Sequence, residues 1–215
     1  MTARPRNIYV IGAQSSGKTT LTAALRLHFQ DKSELASRAI SRKLYVLEEV
    51  ARQILQDHNA IGKDVFESSS RALELKTLIL EAQYEAENAI KDSWFISDRS
   101  GVDAIVYGKC YTSESDADKL LSMNAWKQLE KLLQHSVIVV CEPVDAWLEE
   151  HGLRFMPRSR SVKTKLVSVI HESFCDFLNI AGFRYVVLPN SLLELGSRFN
   201  FVIEKWEKRG RSVDD

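Results

Sequence analysis

The 215-residue chain has no net charge, because 29 lysines and arginines balance 29 aspartates and glutamates. No global field therefore draws it onto a nucleic acid or an anionic membrane, which argues against nucleic acid as the main partner. Cysteine is scarce. Cys110, Cys141 and Cys175 are odd in number, widely spaced and in no C-x-x-C pair, so reduced, buried thiols are expected rather than a disulfide framework. No apolar run approaches the roughly 18 residues of a membrane span, and "MTARPRN" leads into the first apolar run without a signal-peptide core. A soluble, cytoplasmic protein is expected. Internal repeats and low-complexity linkers are also lacking. The five histidines show no ligand spacing and are expected at the surface or in packing.

What remains is an ordinary globular composition, 45% apolar and 27% charged. The chain is long enough to bury a core without metal or disulfide staples. One domain over 1–215 is expected, with its core at about 7–205. Five short, nearly continuous apolar runs read as strands: "IYVI" at 8–11, "KLYVLE" at 43–48, "WFISD" at 94–98, "VIVVC" at 137–141 and "RYVVL" at 184–188. Such runs suit strands buried on both faces of a parallel sheet. Helical segments separate them: 18–29, 48–58, Asp64 to about Asp92 with a possible Asp64–Glu67 capping box, 116–133, 161–180 and 191–208. The alternation predicts a layered α/β domain with right-handed crossovers.

"GAQSSGKTTL" follows the first strand and matches G-x-x-x-x-G-K-[ST] from Gly12 to Thr19. Its four fixed positions would match by chance in roughly one chain of this length in a hundred. Gly12, Ala13, Gln14, Ser15, Ser16, Gly17, Lys18, Thr19 and Thr20 are the candidate phosphate-binding residues. The glycines let the backbone curl so that amides point at phosphate oxygens, and the following helix adds its positive end. Lys18 is suited to bridge the β- and γ-phosphates of ATP, and the Thr19 hydroxyl to ligate Mg²⁺.

In an open parallel sheet the ligand lies beyond the carboxyl ends of the strands. Those ends carry "EEVAR" (Glu48–Arg52), "DRS" (Asp98–Ser100) and "CEPVD" (Cys141–Asp145). Asp98 stands where a metal-directing carboxylate belongs, with Arg99 beside it as a catalytic candidate or a structural ion-pair partner. Glu49 and Arg52 share a helix face and are candidates for holding an acceptor. Arg154, Arg158 and Arg160, with Lys163 and Lys165, form a basic stretch suited to closing over the phosphates and excluding water. "EPVD" lacks the Asn and Lys of N-K-x-D, which counts against a guanine-selective switch.

Taken in order, "IYVIGAQSSGKTTL", "EEVAR", "AQYEAE", "ISDRSGVDAIVYG" and "HGLR" resemble the P-loop domains grouped with the ribosylnicotinamide kinase domain of NadR. The resemblance implies a nucleoside/nucleotide kinase-like, three-layer P-loop NTPase fold whose five-stranded parallel sheet has the order 2-3-1-4-5. It also implies ATP and Mg²⁺ at the loop and an acceptor between "EEVAR" and "DRS". Glu49 and Arg52 then fall in the acceptor region, Asp98 in the metal or base position and Arg154 in the lid, with Gln83 and Glu87 facing the acceptor. One departure is His151, where the family often carries an acidic residue. Two functions follow: an ATP-dependent kinase of a small nucleoside-like metabolite, or an ATP- or GTP-binding module that recruits a protein or phosphoinositide partner.

Overall fold

Strand β1 (Ile8–Ile11) alternates its side chains between two faces, and each face meets its own core. The computed structural model describes residues 5–35, 44–60, 69–148 and 159–211. Tyr9 and Ile11 join Phe95, Ile138, Val140 and Phe174 on one face, whereas Ile8 and Val10 join Leu21, Leu25, Ile96, Val139 and Val202 on the other. The remaining strands are β2 (Leu44–Leu47), β3 (Trp94–Asp98), β4 (Val137–Cys141) and β5 (Tyr185–Leu188). All pair in parallel in the order β2-β3-β1-β4-β5. The expected sheet is the one observed. The three inner strands, β3, β1 and β4, are buried along their whole length, as their continuous apolar character requires.

Helices α1 (Lys18–Leu35), α2 (Val50–Asp57), α3 (Ser69–Asn88), α4 (Gly101–Tyr111), α5 (Glu114–Ser122), α6 (Asn124–Gln134), α7 (Arg160–Ile180) and α8 (Leu195–Arg211) cover the sheet. α1 and α8 supply the core on one face, and α3, α4, α6 and α7 the core on the other. Among the described residues no helix is long and apolar enough to cross a membrane.

Three expectations need correction. Residues 101–111 form a helix absent from the expected set. Its glycines and β-branched residues are poor helix formers, but a capping box starts it: the Ser100 hydroxyl accepts the Val102 N–H at 3.1 Å and the Asp103 carboxylate accepts the Ser100 N–H at 2.9 Å. The segment 116–133 is two helices, split by the extended backbone of Met123 at φ −64° and ψ 143°. Only Cys141 of the three thiols is fully buried; Cys110 and Cys175 lie on partly exposed flanks of α4 and α7. The Asp64–Glu67 box lies outside the described residues.

The two-faced core sets a stability contrast. Leu129 is fully buried, while Leu27 on α1 is 57% exposed. Leu129→Ala is expected to lower the unfolding free energy by about 2–5 kcal/mol and Leu27→Ala by less than about 0.5 kcal/mol. Urea unfolding followed by circular dichroism checks both.

Candidate active site

At the end of β1 the chain turns sharply into the loop of residues 12–17. Gly12 has φ 127° and Gly17 φ 70°, and Ser15 between them takes φ 57°. A Cβ on Gly12 would lie 2.7 Å from the Cys141 carbonyl oxygen, and one on Gly17 2.7 Å from Cζ3 of Trp147. Glycine alone fits both places. A loop curled in this way presents successive N–H groups to its hollow, a setting suited to phosphate. α1 begins directly behind it and points its positive end the same way. The buried Lys18 ammonium donates to the Ala13 carbonyl and, at 2.9 Å, to Ser16 Oγ.

The β1–β3 register pairs Val10 with Asp98 and so carries Asp98 to the root of the loop. There Thr19 Oγ1 donates to Asp98 Oδ2 at 2.6 Å. A hydroxyl and a carboxylate are hard oxygen donors of the kind Mg²⁺ takes, and Mg²⁺ needs only one or two from protein when phosphate and water supply the rest. Among the described residues no group of three or more His, Cys, Asp and Glu side chains is placed to hold a metal.

Asp98 and Arg99 do not pair with each other in a salt bridge. Arg99 takes a positive φ of 87° and turns its guanidinium to Glu49 (Nε to Oε1, 2.7 Å) and Asp103 (Nη1 to Oδ1, 2.8 Å). All three side chains are buried. Burial alone would lower the Arg99 pKa, but the Glu49 and Asp103 carboxylates outweigh it and raise the value, so the guanidinium stays charged. Glu49 also accepts from Arg52 Nη2 at 3.2 Å. It stands one residue ahead of α2 and makes no side-chain cap bond. The expected Glu49–Arg52 pair is thus one arm of a larger cluster joining "EEVAR" to "DRS".

Among the described residues, two cavities flank the loop. One of about 540 Å³ is bordered by Thr19, Arg26, Glu48, Glu49, Arg52 and Asp98. The other, about 450 Å³, is bordered by Ser15, Gly17, Thr20, Trp147, Leu193 and Arg198. Gln83 borders neither. It is buried and donates to Glu87 Oε1 at 2.8 Å and Ser97 Oγ at 3.3 Å, while α3 turns Ala82 and Ala86 to the larger cavity. Glu87 is likewise buried. Burial pushes its carboxyl up to about 7, although hydrogen bonds donated by Tyr9 (2.5 Å) and Gln83 oppose the rise. Arg154 and Arg158 lie outside the described residues; Arg160 donates to the Asp145 carbonyl at 3.2 Å.

Four residues near the loop went without a role in the sequence reading. Asp103 had a signal, the S-x-x-D spacing in "SGVD". Tyr107, whose hydroxyl donates to Gln14 Oε1 at 2.6 Å and accepts the Gln14 N–H at 3.1 Å, had none. Trp147 and Arg198 had none either, since only the fold brings them to the loop.

The sheet order and the loop at its centre define a P-loop nucleotide-binding protein with a nucleoside kinase-type fold. Residues 7–194 match the model of a family described as an AAA domain, and the chain belongs to that family. Similar solved structures include NadR in complex with NR (TM-score 0.66, 18% identity, covering 98% of this chain and 53% of that one). NadR in complex with NAD and AMP-PNP gives 0.62 and 18%, covering 98% and 51%. Deoxyadenosine kinase from M. mycoides with bound dATP gives 0.61 and 14%, covering 94% and 99%. The chain therefore spans about half the length of the NadR chains and nearly all of the kinase. No curated protein matches it. At these identities the common property is the fold.

The buried Glu87 gives a pH prediction. Between its ordinary value of 4.5 and about 7 the folded chain binds more protons at this site than the unfolded chain. The resulting stabilisation is fully present below about 4.5 and is lost as pH rises through about 7. Glu87→Gln is expected to flatten the stability profile over that window, checked by urea midpoints from pH 4.5 to 8 in both proteins. An unchanged slope in the variant would locate the pH dependence elsewhere.

Proposed function

We propose that the chain is an ATP-dependent kinase that transfers the γ-phosphoryl group to a hydroxyl of a small, nucleoside-like metabolite. The observation that carries this reading is the cavity of about 540 Å³ that opens onto Thr19 and Asp98 and is walled by Glu49 and Arg52. Its size suits a small molecule, and its carboxylates sit beside the hollow where a terminal phosphate would lie. The NadR and deoxyadenosine kinase neighbours, solved with NR and with dATP, support an acceptor of this class.

In this reading the loop amides and Lys18 hold the β- and γ-phosphates, and Thr19 and Asp98 hold Mg²⁺. When bound, that ion would offset phosphate charge. Asp98 faces Thr19, so Glu49 is assigned as the proton acceptor. The acceptor hydroxyl oxygen bonds to the γ-phosphorus, the bond from that phosphorus to the β–γ bridging oxygen breaks, and the hydroxyl proton passes to Glu49. Arg99 fixes the Glu49 carboxylate, and Arg52 orients the acceptor from the same cavity. The second cavity takes the donor base against Trp147. Positioning and electrostatics do most of the work, as phosphoryl transfer allows.

The test is transfer from γ-labelled ATP to a panel of nucleosides. Acceptor-dependent transfer is expected from the natural chain, with about a hundredfold or greater loss in Glu49→Gln and no measurable transfer in Lys18→Ala. Tight nucleotide binding without transfer to any acceptor would instead assign the chain to the recruiting modules.

A further inference from the structure

Among the described residues Arg198 is the largest fully buried side chain, with 2% of its surface exposed. It rises from the first turn of α8, 182 residues along the chain from the loop it touches. Its Nη2 donates to the Ser16 carbonyl at 2.7 Å and its Nη1 to the Leu192 carbonyl at 3.2 Å. The guanidinium carbon stands 5.2 Å from the centre of a Trp147 ring, the same residue that packs against Gly17. Among the described residues no carboxylate forms a salt bridge with Arg198. A buried cation set against carbonyls, an aromatic face and the Cys141 thiol is incompletely compensated, and it borders the cavity beside the loop.

The Ser16 carbonyl and the Gly17 N–H are opposite ends of one planar trans peptide unit. Fixing the oxygen therefore fixes the direction of the N–H. Gly17, without a Cβ and at φ 70°, leaves that plane free to turn unless something outside the loop anchors it. A cation on the carbonyl oxygen also polarises the amide and strengthens the N–H as a donor. From this geometry we infer that Arg198 is a positioning residue: it aims the Gly17 amide into the loop's hollow and adds its own uncompensated charge to the field that holds a polyphosphate. α8 thereby becomes part of the phosphate site. The inference rests on the proposed reading that the loop holds the phosphates of a nucleotide.

Calorimetric titration of the full chain in Mg²⁺ buffer with two probes, ATP and inorganic tripolyphosphate, tests it. Arg198→Met is expected to weaken both by the same factor, about tenfold or more. Arg198→Lys, which keeps the charge and one carbonyl bond, is expected to lose less on both. A merely structural arginine predicts a lower melting temperature with unchanged affinities, and that result overturns the inference. Loss of ATP binding with tripolyphosphate unaffected also overturns it, by assigning Arg198 to the base. Should Arg198→Met fail to fold, Arg198→Lys decides alone: an affinity for tripolyphosphate equal to that of the natural chain contradicts the inference. If the natural chain binds neither probe, the nucleotide reading falls and takes this one with it; if it binds both and the variants match it, only the role of Arg198 falls.

Discussion

One buried guanidinium joins the start of α2 to the corner between β3 and α4, beside the larger cavity. Arg99 leaves the end of β3 at φ 87° and meets Glu49, just ahead of α2, and Asp103, in the first turn of α4. A non-glycine residue at such a φ costs about 1–3 kcal/mol and persists only where its surroundings over-determine it. Two charge-assisted hydrogen bonds out of water supply that determination. The result is a fixed link between the corner that joins β3 to α4 and Glu49, 50 residues earlier in the chain. Arg99 and Arg52 each hold one oxygen of the Glu49 carboxylate at the wall of the cavity.

The clamp and the phosphate loop are neighbours because the strands are in register. Pairing of Val10 with Asp98 sets the root of the loop level with the start of "DRS", so Thr19 reaches Asp98 directly while Arg99 reaches outward. The loop then separates two spaces of similar volume, one lined by carboxylates and arginines and the other by Trp147 and leucine. That partition suits a donor nucleotide whose base lies on one side and whose terminal phosphate faces the other. Tyr107 and Arg198 brace the loop from distant parts of the chain, through Gln14 and Ser16 respectively.

The sheet was legible because its inner strands are continuous apolar runs: β1, β3 and β4 begin and end where "IYVI", "WFISD" and "VIVVC" do. The phosphate loop was equally plain, since its glycines answer to steric demands that no other residue meets. The α4 helix was not, because its stability comes from burial and its Ser100–Asp103 cap rather than from propensity. Gln83 shows how finely a site depends on helix phase. Residues 82 and 86 face the cavity, and 83 and 87 point into the core, a rotation of about 100° per residue. Arg52 and Arg99 both looked like partners for the carboxylate nearest in sequence. Only the fold shows that Glu49 serves both.

The central claim is that a triphosphate lies in the loop with its end turned toward Glu49. A crystal structure of the chain with a non-hydrolysable ATP analogue and Mg²⁺ tests it most directly. The account predicts the β- and γ-phosphates against Lys18 and the loop amides, the metal on Thr19 and Asp98, the base beside Trp147 and the γ-phosphate opening onto the cavity of about 540 Å³. A γ-phosphate directed away from Glu49, or a nucleotide bound outside the loop, would contradict it.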